Sequence, residues 1–185
     1  MSAPMATWVV SVLLADDLLA LNRAVGIVRR RNLPISGVAL GPTGRPGTLR
    51  LTCVVTTDQA ATERMANALR KMVEVQSVAV YPESECTARE HALVRVRVAP
   101  AHLSALLDAV SLYDATILEE SAHELLIEAT GTAPFMMSFL RALEPFGIVD
   151  VARGGTVILP RHVPDAATGL RGQVPMARLK DPIPA

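Results

Sequence analysis

The chain has 185 residues, half of them apolar but only 3% aromatic, so it can bury one ordinary core or two small ones built from aliphatic side chains. Its 18 basic residues balance 18 acidic ones, and this neutrality argues against the strongly basic surface that nucleic-acid binding needs. Two cysteines are too few for a disulfide framework or a zinc site, and an N-terminal apolar run interrupted by Asp16 and Asp17 fits neither a signal peptide nor a membrane span. We therefore expect a cytoplasmic globular protein.

The first predicted elements are a strand and a helix that meet at Asp16 and Asp17. Apolar residues alternate up to Leu14, as in a strand, and the period then becomes helical until about Pro34. The predicted inward stripe of this helix is Leu18, Leu21, Val25 and Val28. The two carboxylates between strand and helix are either a functional site or only a helix cap.

A hairpin, a second helix and a short strand follow. The stretches ISGVAL and TLRLTCVVT flank GPTGRPG, whose glycines and prolines predict a turn or a long hairpin loop. Asp58 is placed to cap the next helix, which leads into the strand VQSVAVY. The predicted order for residues 1–82 is β-α-β-β-α-β.

The same order begins again after a polar linker at 83–90. ALVRVRV alternates as a strand, a helix and two further strands follow, TAPFMMSFLRALEPF is helical, and IVDVARGGTVIL is a closing strand or hairpin. The repeat is one of architecture at a spacing of about 80 residues. We predict an α+β protein of two ferredoxin-like units, 1–82 and 91–162, followed by a Pro-rich tail at 163–185.

Catalytic and metal-binding patterns are absent from the sequence. GPTGRPG lacks the lysine and the helix of a phosphate-binding loop, and the four histidines have no metal-ligand spacing. Cys53 lies in a strand whose face is expected to be buried, where a thiol is inert. We predict no catalytic residue and no metal site, which favours a binding or regulatory module.

Residues 11–55, SVLLADDLLALNRAVGIVRRRNLPISGVALGPTGRPGTLRLTCVV, resemble the opening of the small regulatory subunit of acetolactate synthase, also called acetohydroxyacid synthase. LRKMVEVQSV, REHALVRVRV and LRALEPFGIVDVARGGTVILPR resemble later parts of the same family, in the same order. The resemblance spans residues 8 to about 162 and implies that the first unit is an ACT domain.

The resemblance implies a non-catalytic chain that forms a homodimer through its ACT domains and docks on an acetolactate synthase catalytic subunit. That subunit would hold the cofactors, which are thiamine diphosphate, FAD and magnesium, and none is expected in this chain. The implied pathway leads to valine, leucine and isoleucine. The implied role is to raise the activity of the partner and to transmit feedback inhibition by valine, without binding nucleic acid or a membrane.

Family-matched positions for the amino-acid effector lie in the first turn and at the start of the second strand. They are Asp16, Asp17, Leu18, Leu19, Ala20, Leu21, Pro34 and Ile35. Three of them depart from the family pattern: Asp16 and Pro34 stand where it has asparagine, and Leu19 stands where it has glycine. We expect weak or lost valine feedback with a surviving role in helix capping, or alternatively a remodelled site for another effector.

The hairpin loop is the expected docking surface for the catalytic subunit. Its residues in this prediction are Gly41, Pro42, Thr43, Arg45 and Pro46. An alternative function is a stand-alone ACT-domain amino-acid sensor that has no catalytic partner. An independent enzyme is a third hypothesis, which only the family's shared name favours.

Overall fold

The structure, a computed structural model, describes residues 4–162. The tail predicted at 163–185 lies outside the described residues. The described part of the chain folds into two compact units, one built mainly from residues up to 85 and the other mainly from residues 86–159. No helix in the described range is long and apolar enough to cross a membrane.

The first unit is a four-stranded antiparallel sheet with two helices. Its elements are β1 (Ala6–Ala15), α1 (Leu18–Arg30), β2 (Ile35–Pro42), β3 (Thr48–Thr57), α2 (Gln59–Arg70) and β4 (Val75–Pro82). The strand order is β2-β3-β1-β4. In the centre, Val10 of β1 lies opposite Cys53 of β3 and Val80 of β4, and the alternating apolar residues of β1 and β3 form the core beneath the helices.

Helix α1 packs on the sheet through a face that only partly matches the predicted stripe. Leu18 is 79% exposed and Val25 is exposed as well, whereas Ala20, Ala24 and Val28 are buried. Small alanine side chains let the helix backbone approach the sheet closely, so the close-packed stripe is centred on them rather than on Leu18. The predicted helix is confirmed. Its predicted stripe is correct at Val28, which is buried, and at Leu21, which packs against the core, but it is wrong at Leu18 and Val25.

The second unit has the same order of elements with one strand added. Its elements are β5 (Cys86–Arg97), α3 (Leu103–Leu112), β6 (Thr116–Glu120), β7 (Glu124–Gly131), α4 (Ala133–Leu143), β8 (Ile148–Arg153) and β9 (Val157–Pro160). The strand order is β6-β7-β5-β8, and β9 also pairs with β5. The core is formed by β5, β7 and the two helices, with Phe139 and Leu143 of α4 fully buried.

The two sheets share one topology: in each, the first strand lies between the third and the fourth, and the second forms an edge. This confirms the prediction of two ferredoxin-like units. The predicted linker at 83–90 is shorter in the structure, because β5 already begins at Cys86. Residue Glu90 of this segment is buried and accepts hydrogen bonds from Arg153 and Thr156, which explains why a polar stretch is part of a strand.

Candidate functional site

The turn between β1 and α1 is organised by Asp17. Its carboxylate accepts hydrogen bonds from the backbone N–H groups of Leu19 (3.2 Å) and Ala20 (3.3 Å), and its own carbonyl accepts from Leu21 N–H at 3.0 Å. Asp17 is therefore the N-cap of α1. Because its carboxylate already occupies N–H groups at this helix end, an anionic ligand has fewer donors to bind there.

Asp16 takes no part in capping. Its side chain is exposed, and its backbone N–H donates to the carbonyl of Gly47 at 2.9 Å, which ties the turn to the hairpin loop between β2 and β3. Leu18 and Leu19 are exposed beside it, whereas Ala20 is buried in the core and Leu21 is half-buried. The surface presented by this turn thus combines a carboxylate with two leucine side chains.

Pro34 and Ile35 lie at the other end of the sheet. The carbonyl of Pro34 accepts from Thr56 N–H at 3.0 Å, near the end of β3, whereas Ala15 pairs with Thr48 at its start. Thr48 and Thr56 are separated by roughly 26 Å along an extended strand. Within one chain the structure therefore does not bring the residue group 16–21 and the residue pair 34–35 together, and a ligand contacting both groups would need a second copy of the chain.

The hairpin loop is a closed network of hydrogen bonds. Thr43 N–H donates to the carbonyl of Thr48 (3.2 Å), and the Thr43 hydroxyl accepts from Arg45 N–H at 3.1 Å. Gly47 has φ +70°, a backbone conformation that favours glycine, and it closes the turn before β3. Gly41 and Pro42 end β2, and Pro46 is exposed in the loop. The residues predicted to dock a partner thus form a small ordered hairpin tip.

Several titratable side chains are buried or paired with one another. Burial raises the pKa of the Cys53 thiol from its ordinary value to about 11, so the thiol is protonated at neutral pH. His91 Nε2 lies 2.7 Å from Glu128 Oε1, and Arg95 pairs with Glu124 at 3.6 Å. Residues 4–162 contain no group of three or more His, Cys, Asp or Glu arranged to hold a metal ion.

A groove beside α1 was not predicted from the sequence, which assigned neither Gly26 nor the arginines near the end of this helix to a binding site. The structure places Gly26, Ile27 and Arg30 beside Met72, which follows α2, and together they line a surface depression. A glycine in the middle of an otherwise regular helix was the one signal for it in the sequence.

Comparison with known proteins gives consistent matches. The family model described as the small subunit of acetolactate synthase matches residues 89–162. The acetolactate synthase small subunit of Mycolicibacterium smegmatis is 33% identical over 155 residues, covering 84% of this chain and 91% of that protein. The protein of the same name from Mycobacterium bovis is 32% identical and covers 84% and 92%. The crystal structure of the acetolactate synthase small subunit from Thermotoga maritima is 26% identical, with a TM-score of 0.76, covering 85% of this chain and 98% of that one.

Proposed function

The chain belongs to the acetolactate synthase small-subunit family, and from that premise we propose that it is a regulatory subunit that binds a catalytic subunit and raises its rate of acetolactate formation. The observation that carries the proposal is the similarity to small subunits along most of the chain, through both ferredoxin-like units. We place the thiamine diphosphate, FAD and magnesium that the reaction needs in the catalytic partner. The product would enter the synthesis of branched-chain amino acids.

Association with the catalytic subunit is the first test of this role. Analytical ultracentrifugation of the cognate catalytic subunit with the full chain is expected to show a complex heavier than either protein. The chain by itself is expected to convert no pyruvate. If no complex forms at micromolar concentrations of both proteins, the regulatory-subunit proposal fails and the stand-alone amino-acid sensor becomes the better account.

We further propose that valine feedback is weak or lost in this chain. Asp16 at about 4 Å from a ligand carboxylate would repel it by about 1 kcal/mol in bulk water and up to about 4 kcal/mol at an effective dielectric of 20. Pro34 offers neither a side-chain amide nor a backbone N–H, and Leu19 covers backbone that a glycine would leave open. Every 1.4 kcal/mol of lost interaction weakens binding about tenfold.

Calorimetry of three substitutions made together tests this reasoning about valine. The variant Asp16→Asn, Leu19→Gly, Pro34→Asn replaces each departing residue by the one in the family pattern, and it is expected to take up valine where the unaltered chain takes up none. Valine binding by the unaltered chain with similar affinity would show that the three residues do not disable the site. A triple variant that folds but binds no valine would show that the effector site lies elsewhere.

A homodimer through the first unit is part of the proposal. Strand β2 is an edge of its sheet, and Ile35 and Leu40 on it are exposed. An exposed apolar edge strand favours pairing with another strand, and a second copy supplies one. Pairing of this kind would also let the residue group 16–21 of one copy and the residue pair 34–35 of the other contact one ligand. Sedimentation equilibrium of the chain alone is expected to give twice the mass of the monomer.

A further inference from the structure

A groove lies beside α1, next to the turn that follows α2. It is an open depression of about 420 Å³, lined by Asn22, Arg23, Gly26, Ile27 and Arg30 of α1 and by Met72. Ile27 and Met72 are partly buried against the core, so its floor is apolar. The next residue along the chain, Val73, is 98% exposed. The groove thus joins an apolar floor to exposed apolar surface.

Gly26 keeps the groove open although the helix does not need a glycine there. A glycine inside a helix makes the helix less stable than an alanine at the same position does. A Cβ added at Gly26 would have the Arg30 guanidinium as its nearest neighbour, at the ordinary contact distance of 3.6 Å. Packing therefore leaves room for a side chain at this position, and the consequence of its absence is an open notch between Arg23 and Arg30.

The groove is basic even though the chain is neutral as a whole. From residue 18 to residue 31 the chain carries four arginines and no acidic residue. Arg23 donates one Nη1 bond to Glu74 and is still 66% exposed, which leaves other guanidinium N–H groups for a ligand. Arg30 is exposed and pairs with no carboxylate within residues 4–162. Seven helical residues place the two arginines about 10 Å apart along the axis, on one face.

We propose that this groove is a docking surface for an acidic segment of the catalytic subunit, an inference that rests on the proposed function. An apolar side chain of the segment fills the notch over Gly26, between Ile27 and Met72. Two carboxylates about 10 Å apart, the spacing of two helical turns, pair with Arg23 and Arg30. Charge complementarity identifies the occupant as acidic, and the apolar floor requires that it also bring a hydrophobic anchor.

Four single variants of the full chain test the groove in two matched pairs. Arg30→Glu and Arg29→Glu change the net charge equally on neighbouring residues of one helix, but only Arg30 lines the groove. Gly26→Leu fills the notch, whereas Val25→Leu enlarges an exposed side chain of the same helix outside the groove. Circular dichroism melts check that all four variants fold.

Biolayer interferometry with the immobilised catalytic subunit measures the Kd of each variant at 50 and 300 mM NaCl. We expect Arg30→Glu and Gly26→Leu to weaken binding about tenfold or more, and Arg29→Glu and Val25→Leu to change it about twofold or less. We expect added salt to weaken binding of the unaltered chain more than binding of Arg30→Glu, because salt screens the Arg30 ion pair, which only the unaltered chain can form.

The outcomes separate this inference from the proposed function. If the unaltered chain binds and activates the catalytic subunit but the groove variants match their controls, the groove is not the docking surface and the regulatory role stands. If both arginine variants lose affinity equally and Gly26→Leu binds as Val25→Leu does, the helix attracts the partner by net charge and the groove inference is overturned. If the unaltered chain neither binds nor activates, the groove inference and the proposed function are both overturned.

Discussion

The buried carboxylate of Glu90 is held in place by Arg153 and Thr156. Its side chain is 9% exposed, and its carboxylate accepts from Arg153 Nε at 2.9 Å, from Arg153 Nη2 at 2.5 Å and from the Thr156 hydroxyl at 3.0 Å. These bonds tie β5 to the end of β8 and to the turn before β9. Arg153→Met keeps much of the aliphatic stem but leaves a buried carboxylate with one neutral hydrogen-bond donor.

The expected cost is large for a single substitution. Removing one partner of a buried ion pair costs about 3 to 5 kcal/mol. Because the Arg153 side chain is 36% exposed, solvent screens part of this interaction, and we expect a loss of about 2 to 3 kcal/mol in the free energy of unfolding. Adding Glu90→Gln removes the stranded charge, so the double variant is expected to be more stable than the sum of the single losses predicts, by about 1 kcal/mol or more.

Urea unfolding followed by far-UV circular dichroism measures these losses. Trp8, the chain's single tryptophan, packs against the core of the first unit, and its fluorescence follows that unit separately. Arg89→Met, on an exposed residue of the same strand, is the control and is expected to change stability by about 0.5 kcal/mol or less. A loss below about 0.5 kcal/mol for Arg153→Met, or additive losses in the double variant, would refute the reasoning.

Further predictions concern the cap, two glycines and the buried thiol. Asp17→Ala is expected to lose about 1 kcal/mol in a thermal melt and Asp16→Ala close to nothing, because only Asp17 caps α1. Gly26→Ala is expected to gain about 0.5 to 1 kcal/mol, and Gly131→Ala to lose about 1 to 3 kcal/mol, because a Cβ at Gly131 would collide with an aromatic ring. Burial raises the pKa of the Cys53 thiol to about 11, so the folded protein favours the protonated thiol. The stability that this thiol contributes is fully present below the pKa of the unfolded chain and is lost as the pH rises to about 11. We therefore expect the free energy of unfolding to fall less over this pH range in Cys53→Ala than in the unaltered chain.

The fold was predictable because its signals are local. Alternation in β1 and β3, the cap at Asp58 and the proline-rich hairpin each lie within a few neighbouring residues, and the structure confirms all of them. The inward face of α1 was not predictable in this way. Leu18 is more hydrophobic than Ala24, but the distance between helix and sheet decides which of them is buried, and that distance depends on the whole packed unit.

Features of the candidate sites that depend on neighbouring residues were predictable, whereas features that depend on distant residues were not. Asp17 as a helix cap follows from its position at the end of an apolar strand, and the structure confirms it. The distance between Asp16 and Pro34 can be seen only when the register of β3 is known. No local sequence pattern shows at which end of the sheet a residue lies. The groove at Gly26 joins residues from α1 to Met72, which are distant in sequence, so the sequence offers only the glycine itself as a signal.

The most direct test of the regulatory role is the rate of acetolactate formation by the cognate catalytic subunit, measured with increasing amounts of this chain and then with added valine. We predict that the rate rises to a plateau as the chain saturates the catalytic subunit, and that valine leaves the plateau unchanged. A rise that valine reverses would contradict the assignment of Asp16, Leu19 and Pro34 as residues that disable the effector site. A rate that the chain does not change at any concentration would contradict the regulatory role itself.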